Sequence, residues 1–167
     1  MPSKISKRKD TASSTGLDVI TTRALPFRLL KLTSLVSRPF FGQIARKYAL
    51  SLNEWRTIFV LASHPGISAI EISSHTGLQP MNISRSLAAL RKLGNINEVP
   101  DPRDLRRTLV SLTREGVQAY QEIAESARED TMRLFADVPP EDLEVFSRVV
   151  DQLIDKAQTL LESQPSR

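Results

Sequence analysis

Asp101-Pro102-Arg103-Asp104-Leu105-Arg106-Arg107 is the stretch that decides the fold, because two strand-like runs flank it. Ile96-Asn97-Glu98-Val99 precedes it and Thr108-Leu109-Val110-Ser111-Leu112 follows. Val110 and Leu112 alternate with polar neighbours, which is the period of a half-buried strand. The pattern predicts a two-stranded ribbon with three arginines at its tip and Pro100 and Pro102 beside it. Narrow minor grooves of DNA concentrate negative potential, and an inserted arginine reads that shape without base-specific hydrogen bonds. The same ribbon also reads as an exposed hairpin whose charges only keep it soluble, so the residues before it decide.

Residues 67–78, Ile-Ser-Ala-Ile-Glu-Ile-Ser-Ser-His-Thr-Gly-Leu, read as a short helix stopped by Gly77, a residue suited to the left-handed helix terminus. Residues 79–94 read as a second helix with Pro80 in its first turn, where a missing N–H costs nothing, and Gly94 at its end. Ile83, Leu87 and Leu90 form one buried stripe, and the other face carries Met81, Asn82, Arg85, Ser86 and Ala89. Helix, tight turn, helix and basic ribbon together make a winged helix-turn-helix whose second helix enters the major groove.

These residues resemble the multiple-antibiotic-resistance regulator (MarR) family of bacterial transcription factors. The wing pattern Asp-x-Arg-x-x-Arg is filled by Asp101, Arg103 and Arg106, and the Leu-Thr-x-x-Gly that follows by Leu112, Thr113 and Gly116. A helix ending in Ala62-Ser63-His64-Pro65-Gly66, the short helix with Glu71 and the helix with Ser84-Arg85 come in the matching order. The resemblance covers residues 25 to 160. The wing with its Leu-Thr-x-x-Gly is fairly specific, whereas a helix-turn-helix alone is shared by many regulators.

Charge is distributed unevenly. Residues 1–50 hold ten Lys and Arg against Asp10 and Asp18, a net of +8; residues 51–112 carry +2 and residues 113–167 carry −6. The basic front fits a polyanionic partner and the acidic back a face turned away from it. No cysteine is present, which excludes disulfides, thiolate metal sites and thiol-based oxidant sensing. No run reaches the roughly 18 apolar residues that span a membrane. Residues 1–16 lack the apolar core of a signal peptide and read as a disordered basic arm. Lys4, Lys7, Arg8 and Lys9 there serve either as nonspecific phosphate contacts or as a solubilising tail. The expected location is cytoplasmic, with the nucleoid.

The expected layout is a mainly α fold: residues 1–16 the arm, 17–50 an N-terminal dimerisation helix region, 51–112 the winged helix-turn-helix, and 113–167 two C-terminal dimerisation helices. The first long helix covers residues 24–48 with Phe27, Leu30, Leu35, Phe40, Phe41 and Ile44 on its apolar face. Pro39 is expected to kink or split it near Ser37, where the resemblance implies one continuous helix. Asn53 is a candidate cap for the next helix, with Trp55, Ile58, Phe59 and Leu61 as core. Thr113 is the expected cap of the following helix, with Val117, Tyr120, Ala124 and Ala127 on one side. Beyond Val138-Pro139-Pro140, Leu143, Phe146, Val150, Leu153, Ala157 and Leu160 recur at heptad spacing, widened by Val145, Val149, Ile154 and Leu161. Such a stripe packs either within the monomer or against a second copy; the resemblance implies the second.

A two-fold dimer would set two reading helices in successive major grooves of a palindromic double-stranded operator. Gln79, Met81, Asn82, Ser84, Arg85 and Ser86 are the candidate base readers, Arg85 suiting guanine and Asn82 adenine. Arg103 is the candidate for minor-groove insertion, with Asp101 holding the wing through Arg103 or Arg106, and Arg106 and Arg107 dividing structural and phosphate duties. The resemblance further implies repression relieved by a small aromatic or anionic effector, for which Arg23, Arg46, Tyr48, Trp55 and Arg56 are the candidates. A nonspecific architectural DNA binder is the alternative reading. Nothing calls for an enzyme or a cofactor: His64 and His75 have no ligand-spaced partner for a metal, and no phosphate loop or nucleophile motif appears.

Overall fold

The structure, a computed structural model, describes residues 25–163, without the side chains of residues 38–46 and 162. Its elements in order are α1 (Leu25–Tyr48), α2 (Leu52–Ser63), β1 (Ile67–Ser68), α3 (Ala69–Thr76), α4 (Pro80–Lys92), β2 (Ile96–Asp101), β3 (Asp104–Leu112), α5 (Arg114–Phe135) and α6 (Pro140–Glu162). The chain divides into two compact units, Met1–Ala119 and Tyr120–Arg167, so the boundary falls inside α5. Among the described residues no helix is long and apolar enough to cross a membrane.

α1 runs unbroken from Leu25 to Tyr48, so Pro39 does not split it. A proline inside a helix removes one backbone bond, and the turns on either side keep theirs. The hydroxyls of Thr33, Ser34 and Ser37 donate to the carbonyls four residues earlier, a bond that a continuing helix accommodates. Phe27, Leu30 and Leu35 are exposed, while Phe40, Phe41 and Ile44 lie outside the described side chains.

The cap of α2 is Ser51, not Asn53. Ser51 and Glu54 exchange side-chain and backbone hydrogen bonds in a capping box, and Asn53, two residues later, is already inside the helix. α3 starts the same way, with Ser68 and Glu71. It ends at Gly77, whose φ of +66° is a left-handed conformation that favours glycine and whose N–H donates to the Ser73 carbonyl at 2.9 Å.

The wing is the larger part of a three-stranded antiparallel sheet of order β1-β3-β2, rather than an isolated two-stranded ribbon. β1 contributes only Ile67 and Ser68, paired with Val110 and Leu109. On the other side Ile96 pairs with Leu112, Glu98 with Val110 and Pro100 with Thr108; an irregularity after Pro100 then brings Asp101 opposite Asp104 at the tip. Both strands therefore extend further towards the tip than their alternating residues indicate.

Ile58, Leu61, Ile72, Ile83, Leu90 and Val110 have essentially no exposed surface and form the core of the first unit. Burying each such side chain is worth about 1.5–3 kcal/mol, which is what fixes α4 against α2 and α3. Phe59, expected in this core, is half exposed because it lies on the opposite side of α2 from Ile58 and Leu61. In α5 the buried stripe is Gly116, Ala119 and Ile123, at steps of three and four. Val117 is exposed, one residue off that stripe, and Tyr120, Ala124 and Ala127 are half-buried. Thr113 caps this helix as expected, its hydroxyl accepting from the Gly116 N–H at 3.1 Å.

α6 carries its heptad stripe largely in the open. Leu143 and Val150 are half-buried, whereas Phe146, Leu153, Ala157 and Leu160 are exposed, as are Val145, Val149, Ile154 and Leu161.

Candidate nucleic-acid interface

α4 owes its orientation to Ile83, Leu87 and Leu90, which turn one face into the core. Ser86 lies three residues after Ile83 and four before Leu90, so it belongs to that buried stripe; only 2% of it is exposed. That removes it from the candidate base readers. The outward face is instead Met81, Ser84, Arg85 and Ala88, with Asn82 half-buried at its margin and Gln79 exposed just before the helix. Ala88 takes the place that composition assigned to Ser86.

The start of α4 differs from those of α2 and α3. Gln79 makes no side-chain cap, no acidic residue stands in the first turn, and Pro80 opens the helix. A helix start without a carboxylate keeps its partial positive charge available to an anion such as a phosphate. α2 and α3 both neutralise theirs with a glutamate.

At the wing, Asp101 is buried and its Oδ1 accepts from the Arg103 backbone N–H at 2.9 Å. Asp104 accepts from the Arg106 backbone N–H at 3.1 Å. The turn is thus held through main-chain groups, which leaves the Arg103 and Arg106 side chains exposed. The expected side-chain bond from Asp101 to Arg103 or Arg106 does not form; Asp101 lies instead 3.9 Å from Arg107 Nε. Arg107 Nη2 also donates to Glu71 Oε2 at 3.0 Å and to Ser68 Oγ at 3.3 Å. Hydrogen bonds from the Ser68 hydroxyl and then the Ser68 backbone, with the Arg107 guanidinium behind them, hold the Glu71 carboxyl below the usual glutamate range.

Glu98, on the wing's first strand, has a partner that the sequence does not announce. Arg91 near the end of α4 donates to both its oxygens, at 2.6 and 2.7 Å, and ties the wing to the helix. Among the described residues Arg91, Arg107, Arg128 and Arg133 pair with carboxylates, whereas Arg85, Arg103 and Arg106 do not.

Of the five effector candidates the structure describes the side chains of three, Tyr48, Trp55 and Arg56. Arg23 lies outside the described residues, as does the side chain of Arg46. Tyr48 is half-buried with the Lys47 ammonium 5.0 Å from its ring centre, and Trp55 meets Phe59 edge-on at 6.1 Å. Arg56 donates to the Thr76 carbonyl at the end of α3, a structural use of a side chain that composition left available. The two histidines, 11 residues apart in sequence, stack with ring centres 4.3 Å apart. Among the described residues no group of three or more His, Cys, Asp or Glu stands close enough to hold a metal ion.

Residues 50–107 match the sequence model of the MarR family. The HTH-type transcriptional repressor IacR of Pseudomonas putida is 25% identical over 118 residues, 71% of this chain and 71% of that one. A MarR-family transcriptional regulator from Silicibacter pomeroyi superposes with a TM-score of 0.73 at 17% identity, over 85% of this chain and 96% of that one. NadR in complex with 4-hydroxyphenylacetate superposes with a TM-score of 0.69 at 19% identity, over 92% and 98%. At these identities the solved structures establish a shared fold.

Proposed function

We propose that the chain is a transcription regulator of the MarR kind, as the match of residues 50–107 and the relatives above support, and that it binds a palindromic DNA operator as a homodimer and represses transcription until a small aromatic or anionic ligand releases it. The observation that carries the DNA-binding reading is the placement of three exposed arginines on the second helix and the wing. Seven arginines pair with no carboxylate among the described residues: Arg28, Arg56, Arg114 and Arg148 lie elsewhere, and the other three are Arg85 on the outward face of α4 and Arg103 and Arg106 at the wing. These are the places where a winged helix meets the major and minor grooves. Gln79, Met81, Asn82, Ser84 and Arg85 read bases in this account, and Arg103 enters the minor groove.

The exposed apolar stripe of α6 supports the homodimer. Monomeric proteins seldom leave a contiguous apolar patch of this kind in water, and a second copy covers it with the same residues. The ligand reading draws on NadR, whose structure holds an aromatic acid. Trp55, Tyr48 and the arginines near them are the groups proposed to meet such a ligand here, with Arg56 already committed in part to Thr76.

Titration of a fluorescent pool of random-sequence duplexes with wild type and Arg103→Ala tests the DNA-binding reading. The variant is expected to lose roughly 1–3 kcal/mol of binding with its circular dichroism unchanged. Equal affinity of the two proteins contradicts the assignment. Addition of 4-hydroxyphenylacetate is expected to raise the melting temperature and weaken duplex binding; no change in either quantity over a panel of aromatic acids contradicts the ligand reading.

A further inference from the structure

Arg107 is the one wing arginine whose side chain is committed to protein. Its guanidinium bridges two carboxylates that are each fixed independently. Glu71 is held by the capping box at the start of α3, where Ser68 donates to it from both its N–H, at 2.8 Å, and its hydroxyl, at 2.6 Å. Asp101 is buried and pinned to the wing turn by the Arg103 N–H. A continuous chain of contacts therefore runs from the first helix of the helix-turn-helix, through Glu71, Arg107 and Asp101, to the backbone of Arg103. Glu71 and Arg107 are 36 residues apart in sequence, and their link adds to the pairing of β1 with β3 and the Arg91–Glu98 ion pair a third tie, the one that reaches the wing turn.

We propose that Glu71 and Arg107 are positioning residues that hold the wing turn, and with it Arg103, in the orientation used on DNA, and that Arg107 is not itself a phosphate contact. This inference rests on the DNA-binding reading given above. Its physical content is preorganisation: a wing fixed before encounter loses less conformational freedom on binding. It also has an electrostatic signature. Glu71, Asp101 and Arg107 together carry one net negative charge, which by itself repels a phosphate backbone. Removing Glu71's charge should strengthen binding if only that repulsion matters, and weaken it if the strut matters.

Glu71→Gln removes the ion pair while keeping a side-chain oxygen that can accept from Ser68 in the capping box. The test compares wild type, Glu71→Gln, Arg107→Ala and Arg106→Ala of the full chain on one fluorescent duplex recovered from a random pool, over a range of salt concentrations. Glu71→Gln and Arg107→Ala are each expected to weaken binding about fivefold, the scale of one exposed ion pair, and to leave the salt dependence unchanged. Arg106→Ala, as a phosphate contact, is expected to reduce the slope of log affinity against log salt by about one. Combining Arg103→Ala with Glu71→Gln should cost less than the two separate losses together, since a misdirected wing has less to lose. In the free protein the Arg103 amide should exchange with solvent faster in Glu71→Gln than in wild type.

Tighter binding by Glu71→Gln, a lowered salt slope in Arg107→Ala, or unchanged exchange at the Arg103 amide overturns the proposal. If wild type binds no duplex at all, the DNA-binding reading itself falls, and the strut has no function to serve. If wild type binds and Arg106→Ala lowers the slope while Arg107→Ala does the same, the DNA-binding reading stands and only the strut fails.

Discussion

Gly116→Ala is expected to be the most damaging single methyl in the first unit. A Cβ on Gly116 would collide with the Asn95 carbonyl oxygen and fall 3.0 Å from its carbon, where ordinary contact begins at 3.4 Å. The neighbour cannot easily yield. The Asn95 carbonyl accepts from the Thr113 N–H at 3.0 Å, and the Asn95 N–H donates to Leu90 at 2.9 Å. The next residue, Ile96, already pairs with Leu112 in the sheet. Moving α5 instead stretches the bond from the Thr113 hydroxyl to the Gly94 carbonyl, 2.7 Å long. Overpacking of this kind costs about 1–3 kcal/mol, and each strained hydrogen bond about 1 kcal/mol more. Alanine returns at most about 1 kcal/mol through its helix propensity. The net loss is about 2–4 kcal/mol, or about 5–15 °C of melting temperature for a chain of this size. Thermal unfolding followed by circular dichroism reads it, with the exposed Val117→Ala as a control in the same turn. A Gly116→Ala melting temperature within about 2 °C of wild type refutes the packing argument at this corner.

Ser86→Ala should leave duplex affinity within about twofold of wild type, because the hydroxyl faces the core rather than the groove; a loss of tenfold or more in an anisotropy titration places it back among the base readers. Leu153→Glu, in the exposed stripe of α6, should convert a dimer to a monomer in light scattering and abolish operator binding with helical content kept; a dimer that persists contradicts the assigned interface. The pH dependence of wild type against Glu71→Gln follows from the lowered pKa of Glu71. The folded state favours the ionised carboxylate, so the wild-type advantage is complete above the ordinary glutamate value of about 4.5 and is lost as pH falls through the lower folded-state value. A melting-temperature difference that stays constant from about pH 6 to pH 3 contradicts the contribution of that ionised group.

The helix-turn-helix was legible because its signals are local. Gly77, Pro80 and the Ile83, Leu87, Leu90 stripe lie within one turn or two of what they determine. Ser86 was misread because its polarity outweighed its place on that stripe, although the spacing from Ile83 and Leu90 carried the answer. The cap of α2 was also readable: Ser51 has Glu54 three residues on, whereas Asn53 has Arg56. Other features were beyond any local pattern. β1 is two residues long, too short to alternate, and forms only because β3 offers it an edge. The pairings of Arg107 with Glu71, Arg91 with Glu98 and His64 with His75 depend on how separate elements pack. The charges of the wing were visible in the sequence; which of its arginines pairs with protein carboxylates is visible only in the fold.

Selection of bound fragments from random duplex DNA at near-physiological salt, followed by sequencing, tests the central claim most directly. The account expects an enriched inverted repeat whose half-sites lie about one helical turn, roughly 10 base pairs, apart. Retention of duplex without any enriched motif points to an architectural DNA binder and contradicts sequence-specific regulation, and failure to retain duplex contradicts the DNA-binding reading as a whole.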